Sequence, residues 1–168
     1  PGLNSFPLAR LAWLREHEDA TYRAAARVCL NTDWLTFRLT GRWALDFSSA
    51  TTLHLQNQVL RDWHRPFLQR LGLRPGQLSR LVDSGSPIGP LTPEAAAATG
   101  LAPSTRVVAG SFDHPAAARA LGVVAPGQLL LSCGTSWVGF LPVSDRDRLL
   151  AAGLLCDPFR SATGGPWG

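Results

Sequence analysis

The sequence predicts an α/β fold, and three observations carry that prediction. Val107-Val108-Ala109 is an apolar, β-branched stretch that passes through Gly110-Ser111-Phe112-Asp113 into the alanine-rich Pro115–Leu121, a strand handing over to a helix. A second apolar stretch, Leu129-Leu130-Leu131, leads through Ser132-Cys133 to the small, hydroxyl-rich Gly134-Thr135-Ser136 before Trp137. Upstream of both, helical spacings alternate with short extended pieces. Strand ends open into crevices, which is where α/β proteins assemble their sites. Asp113 sets a lone carboxylate at one such end, and Gly134-Thr135-Ser136 sets backbone donors and hydroxyls at another. A general base and a phosphate-binding turn together point to phosphoryl transfer to an alcohol.

The elements follow in order. Leu8, Leu11, Ala12, Leu14 and Arg15 lie at helical spacing, and Glu16-His17-Glu18-Asp19 is a polar break. A second helix runs from Asp19 to about Val28. Asp33 can cap a third, Trp34–Leu39, which stops at Thr40-Gly41. Arg42–Asp46 is a short turn or strand, and Ser48-Ser49-Ala50-Thr51-Thr52 is a run of small residues where chains can approach closely. Asp62-Trp63 to Leu71 reads as an amphipathic helix closed by Gly72. Pro75–Pro93 reads as loop with short apolar pieces such as Leu78–Val82. Glu94–Thr99 is an alanine helix capped by Thr92 and ended by Gly100. Arg106–Ala109 is expected as a buried strand. Pro126-Gly127 is the clearest turn, and Gln128–Ser132 with Trp137–Val143 reads as a β-hairpin around Gly134-Thr135-Ser136. The domain boundary is placed at Val123–Gly127.

Composition bounds the function. With 168 residues, 45% hydrophobic and 17% charged, the chain can bury a core and is not a disordered segment. No apolar run reaches the ~18 residues of a membrane span, and no signal peptide opens the chain. It neither begins with nor contains Met, and an internal fragment of a longer protein is expected. All sixteen basic residues are Arg, which excludes a P-loop lysine, a Schiff base and a lysine general base. The net charge of +4 comes from Arg residues scattered singly among apolar ones, so nucleic-acid binding is not expected. Cys29, Cys133 and Cys156 show no metal or disulfide spacing and fit a reducing cytoplasm; Cys133, beside the Gly-Thr-Ser turn, is read as a small buried residue, with a reactive thiol as the alternative. The four histidines lack zinc spacing.

Read together, these landmarks resemble the FGGY family of carbohydrate kinases, which includes glycerol, xylulose, rhamnulose and fuculose kinases. Phe6-Pro7-Leu8-Ala9-Arg10-Leu11-Ala12-Trp13-Leu14 resembles the segment before the family's acceptor-domain helices. Asp33-Trp34-Leu35 with Leu39-Thr40-Gly41, then Asp46-Phe47-Ser48-Ser49-Ala50, then Ile88-Gly89-Pro90-Leu91-Thr92 and Thr99-Gly100-Leu101, follow in family order and spacing. They end in Gly110-Ser111-Phe112-Asp113 and Gly134-Thr135-Ser136.

The resemblance implies an actin-like, ribonuclease H-like fold, present in part: residues 1–122 as the latter part of the sugar-binding domain and 126–168 as the opening of the ATP-binding domain. It implies a cytoplasmic enzyme of bacterial type that uses ATP and Mg2+ on a sugar or polyol, with no nucleic-acid or membrane partner; a homodimer is allowed for, and the sugar is left open. Asp113 takes the family's catalytic-base position, with a helix cap as the bland alternative. His114 stands where relatives often carry a side chain that touches the sugar, against a plain surface histidine. Gly134, Thr135 and Ser136 match the phosphate turn, against an ordinary hairpin turn. Asp33 and Asp46 are read as capping or architectural.

The family's N-terminal phosphate hairpin, with its magnesium-linked Asp, has no counterpart, so no metal ligand is assigned in this chain. Gly164-Gly165 is read as a loop rather than the adenosine segment. The chain alone is not expected to turn over. Two rivals stand beside the kinase: a non-catalytic sugar-binding or regulatory module of the same fold, and an actin-like ATPase scaffold.

Overall fold

The computed structural model describes residues 6–159 and 166–168; the Gly164-Gly165 loop assignment lies outside the described residues. Helix α1 (Pro7–His17) starts with proline in its first turn, where no amide partner is lost. Helix α2 (Asp19–Ala24) stops at Ala24 rather than near Val28. Gln77 is the cause: its side-chain amide donates to the Ala25 carbonyl (2.9 Å), and its own carbonyl accepts from the Val28 N–H (2.9 Å). That pairing holds Ala25–Val28 extended, so a tertiary contact overrides an alanine-rich helix propensity.

Helix α3 (Asn31–Thr40) begins before Asp33, which therefore sits in the first turn and not at the N-cap. Its carboxylate still serves the helix start by accepting from the Leu30 N–H (2.6 Å). Gly41, at φ +69°, ends the helix in the left-handed conformation that glycine adopts without steric cost.

Strand β1 (Ala44–Asp46) is buried at every position and flows directly into the short helix α4 (Phe47–Thr51). The expected helix from Asp62 loses its first residues: β2 (Gln56–Asn57) and β3 (Asp62–Trp63) form a small antiparallel ladder, and α5 (Arg65–Leu71) begins after it. Trp63 is drawn inward by its indole N–H, which donates to the Ser79 carbonyl (2.9 Å). The 75–93 segment, read as loop, holds a 3₁₀ turn (Pro75–Gln77) and two strands, β4 (Arg80–Val82) and β5 (Pro87–Pro90). Strand β4 pairs in parallel with β1, Leu45 opposite Leu81, through the crossover built by α4, the ladder and α5. Strand β5 pairs antiparallel with β6 (Arg106–Val108), and helix α6 (Pro93–Thr99) lies between them in sequence, capped by the Thr92 hydroxyl oxygen accepting from Ala95 N–H (3.1 Å).

The principal core gathers Leu11, Tyr22, Leu45, Leu55, Leu68 and their neighbours from α1, α2, β1 and α5. Burying each such leucine contributes about 1.5–3 kcal/mol, so this cluster fixes where β1 and α4 lie.

Beyond α6 several expectations fail. Strand β6 is not buried: Val108 is 56% exposed, because β5 is the strand's pairing partner and only Val107 and Ala109 turn inward. Helix α7 (Asp113–Ala120) then starts at Asp113 rather than Pro115. After the Gly127 turn (φ +90°), β7 (Leu130–Cys133) and β8 (Trp137–Phe140) form the expected hairpin, with Cys133 opposite Trp137. Cys133 is exposed rather than buried, since its side of the hairpin faces solvent. A further helix, α8 (Arg146–Ala151), follows with Asp145 as its N-cap. Ala118, Phe140 and Phe159 pack together, joining α7, the hairpin and the segment after α8. Among the described residues no helix is long and apolar enough to cross a membrane.

Candidate active site

Asp113 occupies the start of α7, immediately after the extended Phe112 (φ −61°, ψ 155°). Its Oδ1 accepts from the adjacent His114 N–H (2.8 Å), while 72% of the side chain remains exposed. The residue thus stands at the helix start, as the sequence predicts, but behind an exposed strand rather than a buried one. It is the first helical residue and not the N-cap; Phe112 holds that place and makes no side-chain cap. The imidazole Nε2 of His114 lies 4.0 Å from Asp113 Oδ1.

His114 lines a cavity of about 540 Å³ whose wall also includes Phe112, Thr52, His54, Trp137 and Asp157. The cavity lies between the start of α7, strand β8 and the segment after α8. His114 and Trp137 are therefore walls of one space, whereas Asp113, between the lining residues Phe112 and His114, and the Gly134-Thr135-Ser136 turn, which precedes Trp137, stand outside its lining. Among the described residues no hydrogen bond joins the turn to Asp113 or His114.

The turn itself is the exposed tip of the β7–β8 hairpin. The Gly134 N–H is engaged by the Ser136 carbonyl (3.3 Å), so that amide is not free to donate outward, and Thr135 and Ser136 are exposed. A Cβ built on Gly134 would meet only the Ser136 carbonyl oxygen, at an ordinary 3.8 Å. The chain's own packing does not require glycine there. Magnesium fits less well: among the described residues no group of three His, Cys, Asp or Glu side chains could hold a metal ion.

Buried polar residues lie behind the loop that leads into Asp113, and a separate buried pair joins Asp33 to Ser79. Asp46, the N-cap of α4, accepts from the Ser49 N–H (2.7 Å). Burial pushes its carboxyl up, against the hydrogen bonds from Ser49 and neighbouring amides. Asp33 accepts from the Ser79 hydroxyl (2.6 Å), and burial raises it too, opposed by Ser79 and the Leu30 amide. Both are architectural, as the sequence predicts. The missed residue is Asp157, 9% exposed, which accepts from the Ser48 hydroxyl (2.8 Å) and whose second oxygen has no partner among the described residues. Burial pushes its carboxyl up to about 6, with Asp46 adding to the shift and Ser48 and Arg119 opposing it. In the sequence Ser48 is only one of several small residues, and Asp157 stands in no periodic pattern.

Residues 3–120 match the FGGY family of carbohydrate kinases, N-terminal domain. The autoinducer-2 kinase of Klebsiella pneumoniae is 38% identical over 130 residues, 77% of this chain and 24% of that protein, so the chain spans about a quarter of this curated relative. The xylulose kinase structure from Rhodospirillum rubrum superposes with a TM-score of 0.78 at 27% identity, covering 84% of this chain and 29% of that one. The ligand-bound xylulose kinase from Lactobacillus acidophilus gives 0.83 at 20% identity over 93% of this chain and 32% of that one, a likeness of fold. The architecture is accordingly part of the actin-like α/β fold of these kinases, and the chain belongs to the FGGY family of carbohydrate kinases.

Proposed function

We propose that the full-length protein containing this chain transfers the γ-phosphoryl group of ATP to a hydroxyl of a sugar or polyol, with Asp113 as general base. The observation that carries this reading is an uncommitted carboxylate, 72% exposed, at the start of a helix whose next residue lines a cavity large enough for a small polyol. An ionised carboxylate at hydrogen-bond distance from the acceptor hydroxyl takes its proton as the oxygen attacks phosphorus, and ADP departs. His114 is proposed to contact the acceptor through its imidazole. Gly134-Thr135-Ser136 is proposed as one side of a phosphate cradle, through the Thr135 and Ser136 hydroxyls and amides rather than the engaged Gly134 amide. Residues 1–122 belong in this reading to the sugar-binding domain and 126–168 to the ATP-binding domain of a cytoplasmic enzyme. Magnesium is expected with ATP, but the described residues form no site for it, and no step here runs through it.

The names of relatives supply the acceptors to try first: autoinducer-2, D-xylulose, gluconate and glycerol. Incubating the full-length protein with ATP, magnesium and each acceptor should yield acceptor-dependent ADP and a phosphorylated product with at least one. Binding of an acceptor without phosphorylation would make the protein a sugar-binding module instead. The 168-residue chain alone should show no turnover, because phosphoryl transfer depends on positioning and charge stabilisation from both sides of the nucleotide.

A further inference from the structure

The Ser48 hydroxyl is 2% exposed and fully used. It donates to Asp157 Oδ2 (2.8 Å), and its oxygen accepts from the Ser111 hydroxyl (3.2 Å) and from the Phe112 N–H (3.2 Å). A serine hydroxyl has one proton and two lone pairs, so these three bonds exhaust it. Ser111 and Phe112 are the two residues that lead into Asp113. Ser48 lies on α4 and Asp157 on the segment after α8, which also runs beneath α7, where the Arg119 guanidinium covers the Phe159 ring at 4.2 Å. One hydroxyl therefore joins three separate stretches of chain at the start of α7.

We propose that Ser48 and Asp157 are positioning residues for Asp113: Asp157 fixes the Ser48 hydroxyl proton, leaving both lone pairs to hold Ser111 and the Phe112 amide. The inference rests on the reading of Asp113 as general base. Without Asp157 as acceptor, the Ser48 proton competes for the space that Ser111 and Phe112 fill, and the loop carrying the base loses its fixed entry into the helix. A displacement of about 1 Å at a reacting group costs up to about 100-fold in rate. Such a role changes turnover more than acceptor affinity, because Ser48 acts through the loop that carries Asp113, and Asp157, which borders the cavity, is 9% exposed and has Oδ2 engaged by Ser48.

The test uses the full-length kinase with ATP, magnesium and the acceptor it phosphorylates best among autoinducer-2, D-xylulose, gluconate and glycerol. Ser48→Ala and Asp157→Ala should each lower kcat about 10- to 100-fold with acceptor KM within about threefold. Asp157→Asn keeps a carbonyl oxygen to accept from Ser48 and should hold kcat within about threefold of wild type. Deuterium exchange at the Phe112 amide should quicken in both alanine variants and not in Asp157→Asn. If Ser48→Ala does not fold, the Asp157→Ala and Asp157→Asn pair decides by the same two readouts. Alanine variants with kcat within twofold of wild type, a loss confined to KM, or an asparagine variant as slow as the alanine one would overturn the proposal. Asp113→Asn separates the two readings: normal turnover there removes the base and this inference with it, whereas a dead Asp113→Asn beside a normal Ser48→Ala removes only the positioning role.

Discussion

Two strand-to-helix junctions in this chain are built from similar sequence and treat their carboxylates in opposite ways. At β1–α4, Ala44-Leu45-Asp46-Phe47 passes from a wholly buried strand into a helix, and Asp46 is sealed in as the cap, 4% exposed, with Ser49 bonded to it. At β6–α7, Val107-Val108-Ala109 leads to Asp113, which holds only the amide of its own neighbour and keeps most of its surface free. The first junction uses its aspartate to finish a helix; the second leaves its aspartate available. The two also touch, since Ser48 of the first junction binds Ser111 and Phe112 of the second. Each carboxylate accepts one backbone N–H, so what separates the two is burial, with Asp46 sealed in and Asp113 open to solvent.

The largest expected effect lies with Asp157, beneath both junctions. Its folded-state carboxyl is pushed up to about 6, while an unfolded aspartate titrates near 4. Between about pH 4 and pH 6 the folded chain holds a proton that the unfolded chain has released, so this group's contribution falls as pH rises through that window. The groups facing it are Ser48, Asp46 and Arg119. Asp157→Asn removes the titration, and its stability relative to wild type should improve by about 2–3 kcal/mol between pH 4 and pH 7 in urea denaturation of the full-length protein. A difference that stays flat across that range would show that the buried carboxylate does not titrate there.

Asp46→Ala comes next. It removes the cap and leaves the buried Ser49 N–H without a partner, and should cost about 2 kcal/mol. Asp46→Asn, an equally good cap, should recover most of that loss. The smallest effect on stability belongs to Asp113→Asn, within about 0.5 kcal/mol of wild type, as for an exposed side chain with one local bond. A loss at Asp113 comparable to that at Asp46 would erase the distinction between the junctions.

The sequence showed the punctuation of the fold better than its strands. Gly41, Gly100 and Gly127 end or turn elements where expected because their positive φ values need glycine, and Thr92 caps α6 because its hydroxyl is local to the amide it serves. Strands β4 and β5 stayed hidden: each is three or four residues long, and what makes them strands is a partner distant in sequence. The exposure of β6 was illegible for the same reason, since an apolar run does not state what covers it. Asp113, His114 and the Gly134-Thr135-Ser136 turn could be singled out because each sits at a boundary between periodicities. Ser48 and Asp157 could not, because the bond joining them links positions far apart in the chain and neither lies in a motif of reactive residues.

The most direct test of the account is the turnover of Asp113→Asn in the full-length protein, measured with its best acceptor at saturating ATP and magnesium and set beside its unfolding midpoint. The amide keeps the size and the local hydrogen bond of the carboxylate but cannot take the acceptor's proton. The account predicts an unchanged midpoint, retained nucleotide binding and a fall in acceptor phosphorylation of about 100-fold or more, as for the loss of a general base. Turnover close to wild type at an unchanged midpoint would contradict it and leave Asp113 as the ornament of a helix start.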